Sequence, residues 1–128
     1  MAEVIKYSLS FQVVGSTSVP VNGMLEPEAY SKIQVEVPAG ASDLAVNLQP
    51  SGTKLAEFLL IKSSKYATDL TYKINSAAGT PIILDGPHVF IGNGAVAILD
   101  SDPTQLLFSN ALSEDVTIDI LLGRDATP

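Results

Sequence analysis

Residues 5–13 read Ile5-Lys6-Tyr7-Ser8-Leu9-Ser10-Phe11-Gln12-Val13, an uninterrupted alternation of apolar and polar side chains. Successive side chains of a β-strand point to opposite faces, so the apolar members of this run share one face and the polar members share the other. The run therefore predicts a half-buried strand. The side chains predicted to face the core are Ile5, Tyr7, Leu9, Phe11 and Val13.

Period-two patterning recurs along the rest of the chain. Further alternating runs lie at residues 33–37, 44–48, 70–74 and 116–122, and shorter apolar runs at residues 82–84, 89–91, 95–99 and 106–108. Residues 55–61 are apolar on both parities at their centre, which is typical of a central strand covered on both sides. Asn22-Gly23 predicts a tight turn. The additional residues predicted to be buried are Ile33, Val35, Val37, Leu60, Tyr72, Ile74, Ile118 and Ile120.

Eight to ten short strands separated by frequent turn signals predict an all-β fold, either an antiparallel β-sandwich or a barrel. No stretch of a dozen residues carries a helical apolar stripe, although residues 26–32 allow one helical turn. At 128 residues the chain is interpreted as a single domain over 1–128. Within it, residues 1–14 contain an N-terminal strand and residues 124–128 form a frayed tail.

Charge and composition narrow the classes of function. The chain has 14 acidic and 7 basic residues, a formal net charge of −7, and residues 74–128 carry seven acids against Arg124 alone. This balance disfavours nucleic-acid binding, which needs clustered Lys and Arg. Cysteine is absent and there is one histidine, so disulfides and thiolate chemistry are excluded and an enzyme is not expected. No cofactor is expected either.

The sequence also bears on localisation. Its first residues lack the basic and apolar regions of a signal peptide, and its apolar runs, such as residues 58–61, are too short to cross a bilayer. We therefore expect synthesis in the cytoplasm and no membrane partner.

Two groups of acidic residues were weighed as sites. Asp100 and Asp102 offer spaced carboxylates for a hard cation such as calcium, but Pro103 follows them, and a turn is the preferred interpretation. Glu114, Asp115 and Asp119 offer an acid–base pair, against which stands a solvated acidic rim beside a predicted 110–115 hairpin turn. We expect no catalytic residue and no metal site, with Asp100 and Asp102 as weak candidates.

The remaining polar motifs have structural interpretations. His88 has no second histidine or cysteine to share a metal and is expected to be hydrogen-bonded. Ser63 and Ser64 lie in no nucleophile-elbow pattern. The motif Gly92-Asn93-Gly94 is predicted to be a hairpin turn, because the apolar residues after it read as a strand and not as a phosphate-binding helix.

From residue 38 onward the order of strand signatures resembles that of the small all-β virion proteins of tailed bacteriophages. The signatures, over about two-thirds of the chain, are Pro-Ala-Gly at 38–40, LAEFLLIKS at 55–63, LTYKINS at 70–76, TQLLFSN at 104–110 and VTIDILLGRD at 116–125. The resemblance implies a sandwich with jelly-roll-like topology, and in several phages such proteins are capsid decoration, or cement, proteins.

The resemblance implies a non-enzymatic virion subunit that binds the major capsid protein on the outer capsid surface and self-associates as a homotrimer. A tail, neck or baseplate protein is the first alternative, with the same fold and ring symmetry. A carbohydrate-binding β-sandwich module is the second, although the chain has few aromatic residues on which sugars could stack.

Overall fold

The computed structural model describes residues 4–48, 56–99 and 103–124. Within these ranges the chain forms ten strands and one helical turn, numbered in chain order. They are β1 (Ile5–Phe11), β2 (Val19–Leu25), β3 (Ala29–Val37), β4 (Leu44–Asn47), β5 (Ala56–Ser63), β6 (Leu70–Ile74), β7 (Ile82–Ile83), β8 (His88–Ile91), α1 (Asn93–Val96), β9 (Gln105–Asn110) and β10 (Val116–Arg124).

Eight of these strands form two four-stranded antiparallel sheets with jelly-roll topology. The first sheet has the order β3-β10-β5-β8 and the second the order β4-β9-β6-β7. The pairs β3–β10, β4–β9, β5–β8 and β6–β7 are nested in the sequence, as in one long hairpin rolled over on itself. The expected antiparallel, jelly-roll-like sandwich is therefore confirmed.

The core lies between the two sheets and is built from alternate residues of each strand. On β10, Val116, Ile118, Ile120 and Leu122 are fully buried, whereas Thr117, Asp119 and Leu121 between them are partly exposed. The second sheet contributes Leu70 and Tyr72 of β6 with Leu106 and Phe108 of β9, all fully buried. Burial of Val37, Tyr72, Ile118 and Ile120 was predicted and is confirmed. Ile33, Val35 and Ile74 pack against this core while remaining partly exposed.

Strand β5 is a central strand of its sheet, as its sequence predicts. It pairs with β10 on one side and β8 on the other, and Leu59 and Ile61 face the core. Phe58 is buried on the opposite, outer face. The prediction that Leu60 is buried in the core is wrong, because Leu60 also lies on this outer face and is only half-buried.

The prediction that residues 5–13 face the core is wrong for most of the run. Strands β1 and β2 form a separate two-stranded sheet, called the arm below. Ile5 is buried, Tyr7 and Leu9 are half-buried, and Phe11 and Val13 are 56% and 77% exposed. Alternation identifies an apolar face but not what covers it, and here the two larger sheets already cover each other.

Four local predictions are also corrected. Asn22-Gly23 is no turn but lies inside β2, and the chain instead reverses at residues 13–16. Residues 26–32 form no helical turn, since β3 begins at Ala29. Residues 95–99 are not a strand, because α1 and the turn after it occupy that position. Residues 110–115 connect strands of different sheets and are therefore not a hairpin.

Candidate interaction surfaces

The arm has one apolar face and one polar face. The register pairs Leu9 with Val21 and Phe11 with Val19, and directly paired residues of antiparallel strands point to the same side. On the opposite face Ser8 donates a hydrogen bond to Asn22 Oδ1 at 2.8 Å. The members of the apolar face, called the arm face below, are Ile5, Tyr7, Leu9, Phe11, Val19, Val21 and Leu25.

Exposure of the arm face increases toward the tip. Val19 is 60% and Val21 39% exposed, and at the tip itself Val14 is 99% exposed. The tip is a turn in which Ser16 N–H donates to Val13 O at 2.8 Å, and Gly15 adopts a positive φ of 87° that disfavours other residues. The arm therefore presents a continuous apolar surface, which on a soluble domain is typical of an interaction site.

The base of the arm is fixed to the outer face of the first sheet. A β-carbon added at Gly123 of β10 would lie 2.9 Å from Ile5 Cδ1 and 3.2 Å from Pro27 Cγ, so the glycine permits a close approach. Farther along the arm, a β-carbon built on Gly23 would overlap the phenol of Tyr7. The tyrosine ring thus covers the glycine from the paired strand, an arrangement that stabilises glycine in sheets.

A second surface is a shallow concavity of about 500 Å³ on the outer face of the first sheet. Leu60 and Leu121 form part of its floor, and Lys32 and Lys62 lie at its sides. Gln34 Nε2 donates to Asp119 Oδ1 at 2.9 Å within the same surface. The concavity combines apolar side chains with lysines, a combination that suits a protein surface carrying carboxylates.

His88 contacts a buried tyrosine, as expected for a hydrogen-bonded structural histidine. Tyr72 Oη lies 2.6 Å from His88 Nδ1, and the imidazole also meets the ring of Phe90 edge to face at 6.2 Å between centroids. Burial raises the pKa of the Tyr72 phenol well above its usual range, so the phenol stays protonated. The direction of its hydrogen bond with Nδ1 depends on the histidine tautomer. Burial lowers the pKa of His88, and the nearby charge of Asp85 opposes that shift.

The acidic residues weighed as an acid–base pair have separate partners. Glu114 pairs with Lys65 Nζ at 2.8 Å, and Asp115 Oδ1 accepts a hydrogen bond from Ala39 N–H at 2.9 Å. Asp119 is held by Gln34 on the outer sheet face. Each carboxylate therefore has its own local contact.

Ser63 and Ser64 accept hydrogen bonds from backbone N–H groups at the end of β5. Ser63 Oγ accepts from Lys65 N–H at 3.2 Å, and Ser64 Oγ accepts from Thr117 N–H at 3.0 Å. Gly92-Asn93-Gly94, predicted to be a hairpin turn, instead forms the N-cap and the first two residues of α1. Gly92 has a positive φ of 96°, and Asn93 Nδ2 donates to Ala56 O at 3.0 Å.

Asp100 and Asp102, the weak metal candidates, lie outside the described residues, as do residues 125–128 of the predicted tail. Arg124, predicted to begin that tail, instead belongs to β10 and pairs with Ala29. Among the residues that are described, no group of three or more His, Cys, Asp and Glu side chains is placed to hold a metal ion. In that same part of the chain, no helix has the length and apolar character needed to cross a membrane.

Comparison with known proteins returns no match, whether with family models, curated sequences or solved structures.

The arm face extends beyond what the sequence pattern suggested. Residues 15–22 read as a small, polar connection, yet Val19 and Val21 belong to β2 and complete the arm face. One signal was available. Residues 7–25 form the longest stretch of the chain without a charged side chain, and this indicates a contact surface rather than a solvated loop.

Proposed function

We propose that this protein is a non-enzymatic structural subunit of a tailed-phage particle, and that it decorates the outer capsid surface as a homotrimer. The observation that carries the proposal is the arm. It places a row of exposed apolar side chains outside a sandwich whose core is already enclosed by two sheets. The free energy is lowered when another protein covers such a surface and removes its apolar side chains from water.

Two further features support a subunit on a capsid exterior. The strand signatures from residue 38 onward resemble those of small phage virion proteins, and the jelly roll is a fold that such proteins share. The formal charge of −7 keeps an unassembled subunit soluble and disfavours contact with the packaged nucleic acid.

We assign the capsid contact to the concavity on the outer face of the first sheet. Its lysines and leucines would meet a capsid surface that carries carboxylates beside apolar residues. Lys62 and Lys65 are both exposed, but Lys62 lines the concavity and Lys65 lies outside it, paired with Glu114. Replacement of either lysine by glutamate changes the net charge equally, which makes the two a matched pair.

The experiment measures copy number by quantitative mass spectrometry of purified particles of the phage that encodes the chain. Decoration predicts hundreds of copies per particle, in proportion to the major capsid protein. A copy number near six or twelve would instead assign the protein to the tail, neck or baseplate, where ring symmetry applies. Absence from particles would overturn the proposal.

Attachment can be measured with the same particles. Purified protein is added back to capsids that lack it, and the bound fraction is followed by sedimentation. Lys62→Glu should weaken attachment at least about tenfold, whereas Lys65→Glu should leave it nearly unchanged. Equal effects of the two substitutions would reject the concavity as the capsid contact while leaving the copy-number result intact.

A further inference from the structure

We infer that the arm face is a self-association surface, on which the arms of neighbouring copies pack apolar face to apolar face around a symmetry axis. The inference names the surface through which the proposed subunit self-associates. The number of copies, three, rests on the proposed function, whereas the choice of surface rests on the exposure and composition of the arm.

The absence of charge in the distal part of the arm favours a second copy as the occupant. Residues 8–25 are uncharged in a chain of which 16% of the residues are charged. Where arms meet on a symmetry axis, a charged side chain near the axis would lie beside its own copy in the neighbouring subunit, and an uncharged surface avoids that repulsion. The chain as a whole is acidic and repels its own copies, so the uncharged distal arm is the segment that another copy can approach.

The exposed apolar area of the distal arm supplies more than half of what such a contact needs. The exposed apolar side chains at the distal end of the arm are Phe11, Val13, Val14, Val19 and Val21. Together they present on the order of 500 Å², and the half-buried Tyr7 and Leu9 extend this toward the roughly 800 Å² that each partner contributes to a standard interface.

Face-to-face packing is favoured over pairing at the strand edges. Pro20 lies in β2 opposite Ser10 and has no N–H to offer a further strand. A two-stranded sheet is also only marginally stable alone in water, so covering the arm face stabilises the arm itself. One contact between copies therefore removes apolar surface from water and orders the arm.

The test compares two substitutions on opposite faces of the same arm. Phe11 is 56% exposed on the arm face, and Met24 is 62% exposed on the polar face. In sedimentation equilibrium of the purified full-length protein we expect concentration-dependent association. Phe11→Ser should raise the dissociation constant at least about tenfold, and Met24→Ser should leave it within about twofold.

Three results would overturn the inference. They are a wild-type protein that stays monomeric up to about 100 µM, a Phe11→Ser variant that associates as tightly as wild type, and equal effects of Phe11→Ser and Met24→Ser. Both positions lie outside the jelly-roll core, so unchanged far-UV circular dichroism and melting temperature confirm that each variant is folded.

Cross-linking gives a second readout. The chain has no cysteine, so any disulfide reports an introduced residue. Phe11→Cys should give covalent dimers under mild oxidation, and Ser8→Cys on the polar face should not. Equal yields from the two variants would contradict a face-specific contact.

The inference and the proposed function fail separately. A monomeric protein found in hundreds of copies per particle would retain the function and remove arm-to-arm association. An arm-dependent oligomer that is absent from particles would retain arm-to-arm association and remove the proposed function.

Discussion

Asn110 holds together the end of the jelly roll where three segments meet. It is 1% exposed, and its Nδ2 donates to Val37 O at 3.1 Å and to Glu114 O at 2.8 Å. Its Oδ1 accepts from Leu112 N–H at 2.9 Å. One side chain thus satisfies three backbone groups that belong to β3 and to the connection between β9 and β10.

Asn110→Ala should destabilise the protein by about 3 kcal/mol, because it leaves buried backbone groups without partners. Urea denaturation followed by circular dichroism measures the loss. Asn47→Ala is the control, since Asn47 is exposed and accepts one hydrogen bond, from Gln105 Nε2 at 3.2 Å. The control should cost less than about 0.5 kcal/mol. Similar losses for both variants would contradict the role assigned to Asn110.

His88 makes the stability of the fold depend on pH. Its pKa in the folded protein is lowered by burial, so the unfolded chain takes up the proton first as the pH falls. The stabilisation is therefore complete above the ordinary histidine pKa of about 6.5 and is lost progressively below it, down to the folded pKa. In the protonated imidazole both ring nitrogens carry a hydrogen, so Nδ1 can then only donate to the Tyr72 phenol.

His88→Asn isolates this effect because both proteins share all other titrating groups. As the pH falls from about 7.5 to about 5, the free energy of unfolding of wild type should decrease relative to that of the variant. Urea denaturation at several pH values measures the difference. Parallel pH profiles, or a wild type that gains on the variant under acid, would show that His88 does not control this dependence.

At the scale of the elements, the position of the arm depends on the close approach of its base to Gly123 of β10. Gly123→Ala would place a methyl group against Ile5 and Pro27, so we expect β1 to loosen at a cost of about 1–2 kcal/mol. Hydrogen exchange of residues 5–11 should accelerate. Gly94→Ala is the control, because its added β-carbon meets nothing within 4 Å. Unchanged exchange in β1 of Gly123→Ala would show that the close approach does not fix the arm.

How far an element can be predicted depends on what its pattern specifies. The alternation in residues 116–122 identified β10 and its buried side, because a one-residue slip would expose Ile118 and Ile120. The equally regular alternation in residues 5–13 identified β1 but not its surroundings. Residues 95–99 are predicted to be a strand but form the end of α1 and a turn, because a short apolar run has no period that separates a strand from a helical turn.

At the scale of the molecule, the alternation of apolar and polar residues does not predict which strands pair. Val37 at the end of β3 pairs with Val116 at the start of β10, far along the chain, and period-two spacing says nothing about such partners. The candidate surfaces were harder still to predict. Lys32 and Lys62 come together with Leu121 only once β3, β5 and β10 lie side by side.

The distribution of charge predicts how self-association responds to salt. The chain carries −7 overall, and residues 8–25 of the arm carry none of it. Two approaching copies therefore repel through their sandwiches while their arms attract through apolar contact. Repulsion between exposed charges reaches about 30 Å at 0.01 M salt and about 3 Å at 1 M. Added NaCl should thus remove the opposing force and leave the apolar contact in place.

We therefore expect the dissociation constant of the oligomer to fall severalfold between about 0.01 M and about 0.5 M NaCl, as measured by sedimentation equilibrium. Phe11→Ser should associate weakly at both salt concentrations, because screening cannot replace the lost contact. Weaker association of wild type at high salt would mean that attractive ion pairs hold the copies together. The contact would then lie on the charged sandwich, since the distal arm has no charged side chain with which to form them.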